Sequence, residues 1–153
     1  MSIKSQQANM KIIYSLVSQD LGYIHGEKES GPNGAKKVYL SKSAAFLRAL
    51  GKDLGFEDFI VTANPGGIAV SGEITLMGMW SEGNGLYFQI NQPWQPFGGF
   101  LYRSIKNMKD YTGGYNQWLA CNLFANGEYE RLINILLDLK ERTAFTEVEK
   151  RAA

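Results

Sequence analysis

"IAVSGEITLM" (Ile68–Met77) and "LYFQIN" (Leu86–Asn91) alternate apolar and polar residues with a period of two, and this alternation decides the fold class. In the first stretch Ile68, Val70, Ile74 and Leu76 share one face, while Ala69, Ser71, Glu73 and Thr75 share the other. Gly72 falls on the apolar side, where it marks a bulge or lets a helix approach closely. In the second stretch Leu86, Phe88 and Ile90 point inward, and Tyr87, Gln89 and Asn91 outward. Upstream, "FIVTAN" (Phe59–Asn64) reads as a short strand that ends in the turn "NPGG" (Asn64–Gly67), because Pro fixes φ and Gly tolerates positive φ. "SEGNG" (Ser81–Gly85) reads as a hairpin loop, and "FLYRSIK" after "QPWQPFGG" as a fourth strand. Parallel pairing needs crossovers of a dozen residues or more, so these short connections imply antiparallel neighbours.

Helical spacing brackets this sheet. From Gln6 to Leu21 the residues Ile12, Ile13, Leu16, Val17 and Leu21 recur at helical intervals. "GYIHGEKESGPNGAKK" then reads as a loop, rich in glycine and charge. A second helix is expected to start at an N-cap serine, Ser41 or Ser43, to bury Ala44, Ala45, Phe46, Leu47, Leu50 and Leu54, and to stop at Gly55. Trp118, Leu119, Leu123 and Phe124 suggest a short helix. A longer one follows "NGE", with Tyr129, Leu132, Ile133, Leu136, Leu137 and Leu139 spaced for burial. "TEVEKRAA" reads as a charged tail with a capping-box start at Thr146 and Glu149. The expected class is α+β: an antiparallel four-stranded meander flanked by N-terminal and C-terminal helices. Residues 1–153 read as a single domain, with 1–40 an N-terminal helix and loop extension, 41–142 the core and 143–153 the tail.

Composition narrows the function classes. The chain has 153 residues, enough to bury a core without staples. Sixteen basic and fifteen acidic side chains leave a formal charge of +1, hence no general pull toward nucleic acid or anionic lipid. Its apolar runs fall short of the roughly 18 residues that suggest a membrane span, and MSIKSQQANMK has no signal layout. The expected location is the cytoplasm of the host cell. One cysteine (Cys121) and one histidine (His25) remove most zinc sites and weaken any Cys–His nucleophile. Cys121, within "WLACNLF", reads as a small buried apolar residue. No cofactor is indicated.

The residues left on the polar face of the sheet carry the functional expectation. A meander sets Glu73 and Gln89 side by side with the fourth strand, whose polar face holds either Tyr102 and Ser104 or Leu101, Arg103 and Ile105. Tyr87 offers a stacking ring with a hydroxyl, Gln89 an amide, Arg103 a planar cation. Beyond the strand comes "KDYTGGYNQW" (Lys109–Trp118), read as a turn that leads into a helix. Arg103, Lys106 and Lys109 recur every third residue there, and with the backbone around Gly113–Gly114 they would surround an anion. Asp110 would instead pin the loop or cap the helix. The candidate binding set is Glu73, Tyr87, Gln89, Arg103, Lys106, Lys109, Asp110, Tyr111 and Asn116. Trp94 and Phe97 in the "QPWQPFGGF" loop either pack on the core or meet a partner.

"NPGGIAVSG", the aromatic–Gln strand "LYFQI", "LYRSIK" and "KDYTGG", with the upstream "FLRALGKDLG" helix, give the stretch from Ser43 to Trp118 a further meaning. It resembles a family of small proteins carried by bacteriophages and plasmids. The resemblance implies a mobile-element context and no catalytic residue. The leading expectation is therefore a non-enzymatic accessory protein that binds a host protein or a small, anionic ligand. A nucleotide- or nucleic-acid-binding module using Arg103, Lys106, Lys109 and Tyr111, with Tyr87 stacking, is the alternative. A small enzyme on phosphate- or sugar-bearing substrates, with Glu73 or Asp110 as acid–base, is the third.

Overall fold

The computed structural model describes residues 2–18, 34–64, 72–81, 83–91, 99–110 and 114–152. The order of elements is α1 (Ile3–Val17), α2 (Ala35–Asp53), β1 (Asp58–Asn64), β2 (Glu73–Ser81), β3 (Asn84–Asn91), β4 (Gly99–Ile105), β5 (Gln117–Ala120), α3 (Asn122–Ala125) and α4 (Tyr129–Ala152). The strands form one antiparallel sheet in the order β1-β2-β3-β4-β5. Among the described residues the meander thus has five strands where the sequence suggested four. Trp118 and Leu119 belong to the last strand and not to a helix, so the stretch after Lys109 turns into β5. Four residues are too few to display a period, and adjacent apolar residues suit either reading.

The register sorts every strand residue onto a face. Ile74, Leu76, Trp80, Leu86, Phe88, Ile90, Phe100, Tyr102 and Leu119 join the helices in one buried cluster. α2 packs on β1 and β2, and α4 on β3 and β4. α1 lies against the other helices and adds Met10, Ile13 and Val17 to the same core. Its buried stripe runs Gln6, Met10, Ile13, Val17, while Ile12 is exposed. Rings continue the packing through the centre: Phe46 meets Phe124 at 5.4 Å, and Phe100 meets Phe124 at 4.9 Å, tilted or edge to face.

α2 begins well before the expected caps, with Gly34 as N-cap, so Ser41 and Ser43 are interior to the helix. Tertiary anchoring explains the extension. Tyr39 is fully buried, and its hydroxyl lies 3.2 Å from the carbonyls of both Gly72 and Ile90, tying the first turns of α2 to the ends of β2 and β3. The other end stops as expected: Leu54 is the C-cap, and Gly55 takes φ +74° at the next position, where a side chain would be strained. The Leu54 carbonyl accepts the Trp80 indole N–H at 2.9 Å, which joins this helix end to β2.

Gly72 precedes β2 at φ +90° and lies outside the strand. The close approach expected of it belongs to Gly78, whose helix-side position is filled by the Phe56 ring. The hairpin is tighter than "SEGNG" suggested, since Ser81 and Asn84 already pair. The backbone of α4 runs through Thr146 to Ala152 without a new start. Pro65 to Gly67 of the "NPGG" turn, Ile68, Val70, residues 19–33 (with Leu21 of the expected first helix and most of the expected loop), Trp94 and Phe97 lie outside the described residues.

Candidate functional site

The face of the sheet turned away from the core cluster is where the polar candidates meet. Thr75 pairs with Gln89, Met77 with Tyr87, and Glu73 with Asn91. Tyr87 then pairs with Arg103 across β3 and β4. This register settles which face of β4 is which: Leu101, Arg103 and Ile105 accompany Tyr87, and Tyr102 and Ser104 face the helices. Met77 and Ile105 are buried although they are not part of the core cluster, so this face has an apolar floor beneath its polar groups.

Tyr87, Gln89, Arg103 and Asp110 are each held by a neighbour. The Tyr87 hydroxyl donates to Gln89 Oε1 at 2.7 Å, two residues along the same strand. The Arg103 guanidinium lies over the Tyr87 ring, with Cζ 4.8 Å from its centroid. Its Nη2 donates to the Asp110 carbonyl at 3.1 Å. The Asp110 carboxylate in turn accepts the Lys106 backbone N–H at 3.0 Å, and Asn107 Oδ1 accepts the Lys109 N–H at 2.8 Å. The exit from β4 is therefore a turn closed by its own side chains and latched to the sheet through Arg103. Only 5% of Arg103 is exposed.

The protonation states follow from these surroundings. Burial first, and then the Glu73 carboxylate, raise the Tyr87 phenol above its ordinary range, while Arg103 pulls the other way. Tyr87 consequently keeps its proton at neutral pH and acts as a donor. Burial pushes the half-covered Cys121 thiol up to about 11, which leaves it protonated and poorly nucleophilic at neutral pH.

Tyr87, Gln89, Arg103 and the Asp110 backbone thus form one chain of contacts, and Glu73, opposite Asn91, reaches it through its charge at Tyr87. Lys106 and Lys109 are exposed on the turn, and Asn116 is exposed between the turn and β5. Tyr111 lies outside the described residues. The structure adds Trp118, which pairs with Leu101 on this same face and is 43% exposed. It was hidden in the sequence because Trp118 reads as helical when β5 is not recognised. Among the described residues no group of three His, Cys, Asp or Glu side chains is placed to hold a metal ion, and no helix is long and apolar enough to cross a membrane. No family model, no curated protein and no solved structure matches this chain.

Proposed function

We propose that the protein is a non-enzymatic accessory factor of a phage or other mobile element. It binds a host protein or small ligand through the polar face of the sheet and the adjoining turn. The observation that carries this reading is the Gln89–Tyr87–Arg103–Asp110 chain of contacts. Side chains fixed before binding lose little freedom when a partner arrives, so a pre-formed row of donors and acceptors favours recognition. The same contacts weigh against acid–base chemistry at Asp110, whose carboxylate closes the turn on Lys106. The mobile-element origin rests on the sequence resemblance alone.

A nucleotide or single-stranded nucleic acid is the second reading, favoured by exposed Lys106 and Lys109 together with Trp118. Such sites pair a cationic rim with stacking rings. Arg103 is less suited to gripping phosphate than expected, because it is buried against Tyr87 and Asp110.

One experiment addresses both. The intact chain and a Thr75→Arg, Gln89→Arg variant, which crowds the face without touching the core, serve as baits in host extract. Retained proteins and small molecules are identified by mass spectrometry, and the same pair is titrated with labelled single-stranded oligonucleotides and nucleotides. A specific protein or metabolite lost on the variant is the expected outcome. Retention unaffected by the two substitutions overturns the reading, and oligonucleotide binding lost on Lys106→Ala with Lys109→Ala transfers it to nucleic acid.

A further inference from the structure

β1 stands at one end of the sheet, and among the described residues only β2 pairs with it. Along its outer edge, alternate residues between Asp58 and Ala63 turn backbone N–H and C=O groups away from β2. Sheets ordinarily blunt such an edge with a very short strand, a proline, a lysine or a bulge. The opposite edge follows that rule, since β5 has four residues. β1 does not: it runs seven residues in unbroken register with β2, contains neither proline nor lysine, and carries one charge, Asp58. Its side chains are also incompletely covered. Phe59 and Val61 face the helices but are half-buried, Ala63 beyond them is exposed, and Ile60 on the other face is 54% exposed.

We propose that this edge is a self-association surface, on which β1 pairs antiparallel with β1 of a second copy about a two-fold axis at Val61. Two five-stranded sheets then become one continuous sheet. The strand is self-complementary in this register. Phe59 lies opposite Ala63 of the copy, Ile60 opposite Thr62, and Asp58 opposite Asn64, so large side chains meet small ones and no like charges face each other. An axis at the middle residue also sets the strand opposite its copy over its whole length, which any displaced register forfeits. An isologous contact of this kind closes on itself and stops at two chains. Because opposed residues lie on the same side of a sheet, both helical layers fall on one surface and both polar faces on the other. A partner would then meet two copies of the Tyr87–Arg103 row, although the pairing itself does not depend on that row binding anything.

Sedimentation equilibrium of the intact chain tests the proposal, with the mass of two chains expected at high concentration and dissociation on dilution. Ile60→Lys with Thr62→Lys sets like charges opposite one another on both sides of the axis. It should weaken the dimer by about tenfold or more. Circular dichroism and thermal melting at concentrations where the parent is monomeric check that the variant folds. Amide hydrogen exchange on the unmodified chain gives a reading that needs no variant: protection within 58–64 should rise with protein concentration. A monomer at all concentrations, a dimer that the lysines leave intact, or exchange in β1 that ignores concentration would each overturn the proposal.

Discussion

Ser43 shows how one residue separates two accounts of a helix. As an N-cap, its hydroxyl would satisfy a free backbone N–H, and Ser43→Ala would cost about 1 kcal/mol. In the structure it is fully buried within α2, and its Oγ has no hydrogen-bond partner among the described residues. A buried hydroxyl without a partner carries a desolvation cost, and alanine is the better helix former. Ser43→Ala is therefore expected to leave stability unchanged or raise it by up to about 1 kcal/mol. Urea unfolding of the two proteins gives the sign directly; a clear loss would mean that the Ser43 hydroxyl makes a stabilising hydrogen bond within the fold. Arg103 makes a related point at the candidate site. Its charge suggested an anion ligand, whereas its contacts make it the strut between Tyr87 and the turn at Asp110. Residue type alone cannot distinguish these, because a guanidinium serves stacking, carbonyl and carboxylate equally well.

At the scale of elements, the contact between β2 and the loop that precedes β1 turns on the absence of a side chain. A Cβ on Gly78 would fall within the Phe56 ring, which is itself packed against Trp80 at 4.9 Å. Gly78→Ala should cost about 1–3 kcal/mol through overpacking. The measurement is the denaturant midpoint, and a neutral result would mean that the Phe56 ring moves freely. Strong alternation made β2 and β3 legible in the sequence, because a half-buried strand writes its two faces in period two. β1 and the core stripe of α4 were legible for similar reasons. Features fixed by distant contacts were not. The early start of α2 depends on the Tyr39 hydroxyl reaching Gly72 and Ile90, and β5 exists because Gly99–Tyr102 offers it a ladder. The same division runs through the site. Tyr87 and Gln89 were placed by alternation within one strand, but the face of Arg103 stayed open until the pairing of β3 with β4 fixed it.

At the scale of the whole molecule, the titrating groups that respond most to folding among the described residues all respond in one direction. Burial is the first cause of a raised pKa at Tyr39, Tyr87, Tyr102, Tyr129 and Cys121 alike. At Tyr129 the hydrogen bond to Asp53, 2.6 Å long, adds to it. In each case the folded chain holds the proton more tightly than the unfolded chain. The stability that this contributes is fully present below the unfolded pKa, near 9 for the thiol and 10 for the phenols. It is lost as pH rises through the folded values, because ionisation then favours the unfolded state. The urea midpoint should accordingly show no fall from these groups between pH 7 and about 9, and then decline progressively toward pH 11. Tyr129→Phe should shrink that alkaline decline while lowering stability at pH 7 by about 1 kcal/mol, the worth of an ordinary hydrogen bond. The two effects separate the ionisation of Tyr129 from its bonding: a variant that loses stability at pH 7 but keeps the full alkaline decline would assign that decline to the other buried phenols and the thiol. A midpoint that stays constant to pH 11 would instead mean that these groups ionise within the folded state as readily as outside it, which their burial opposes.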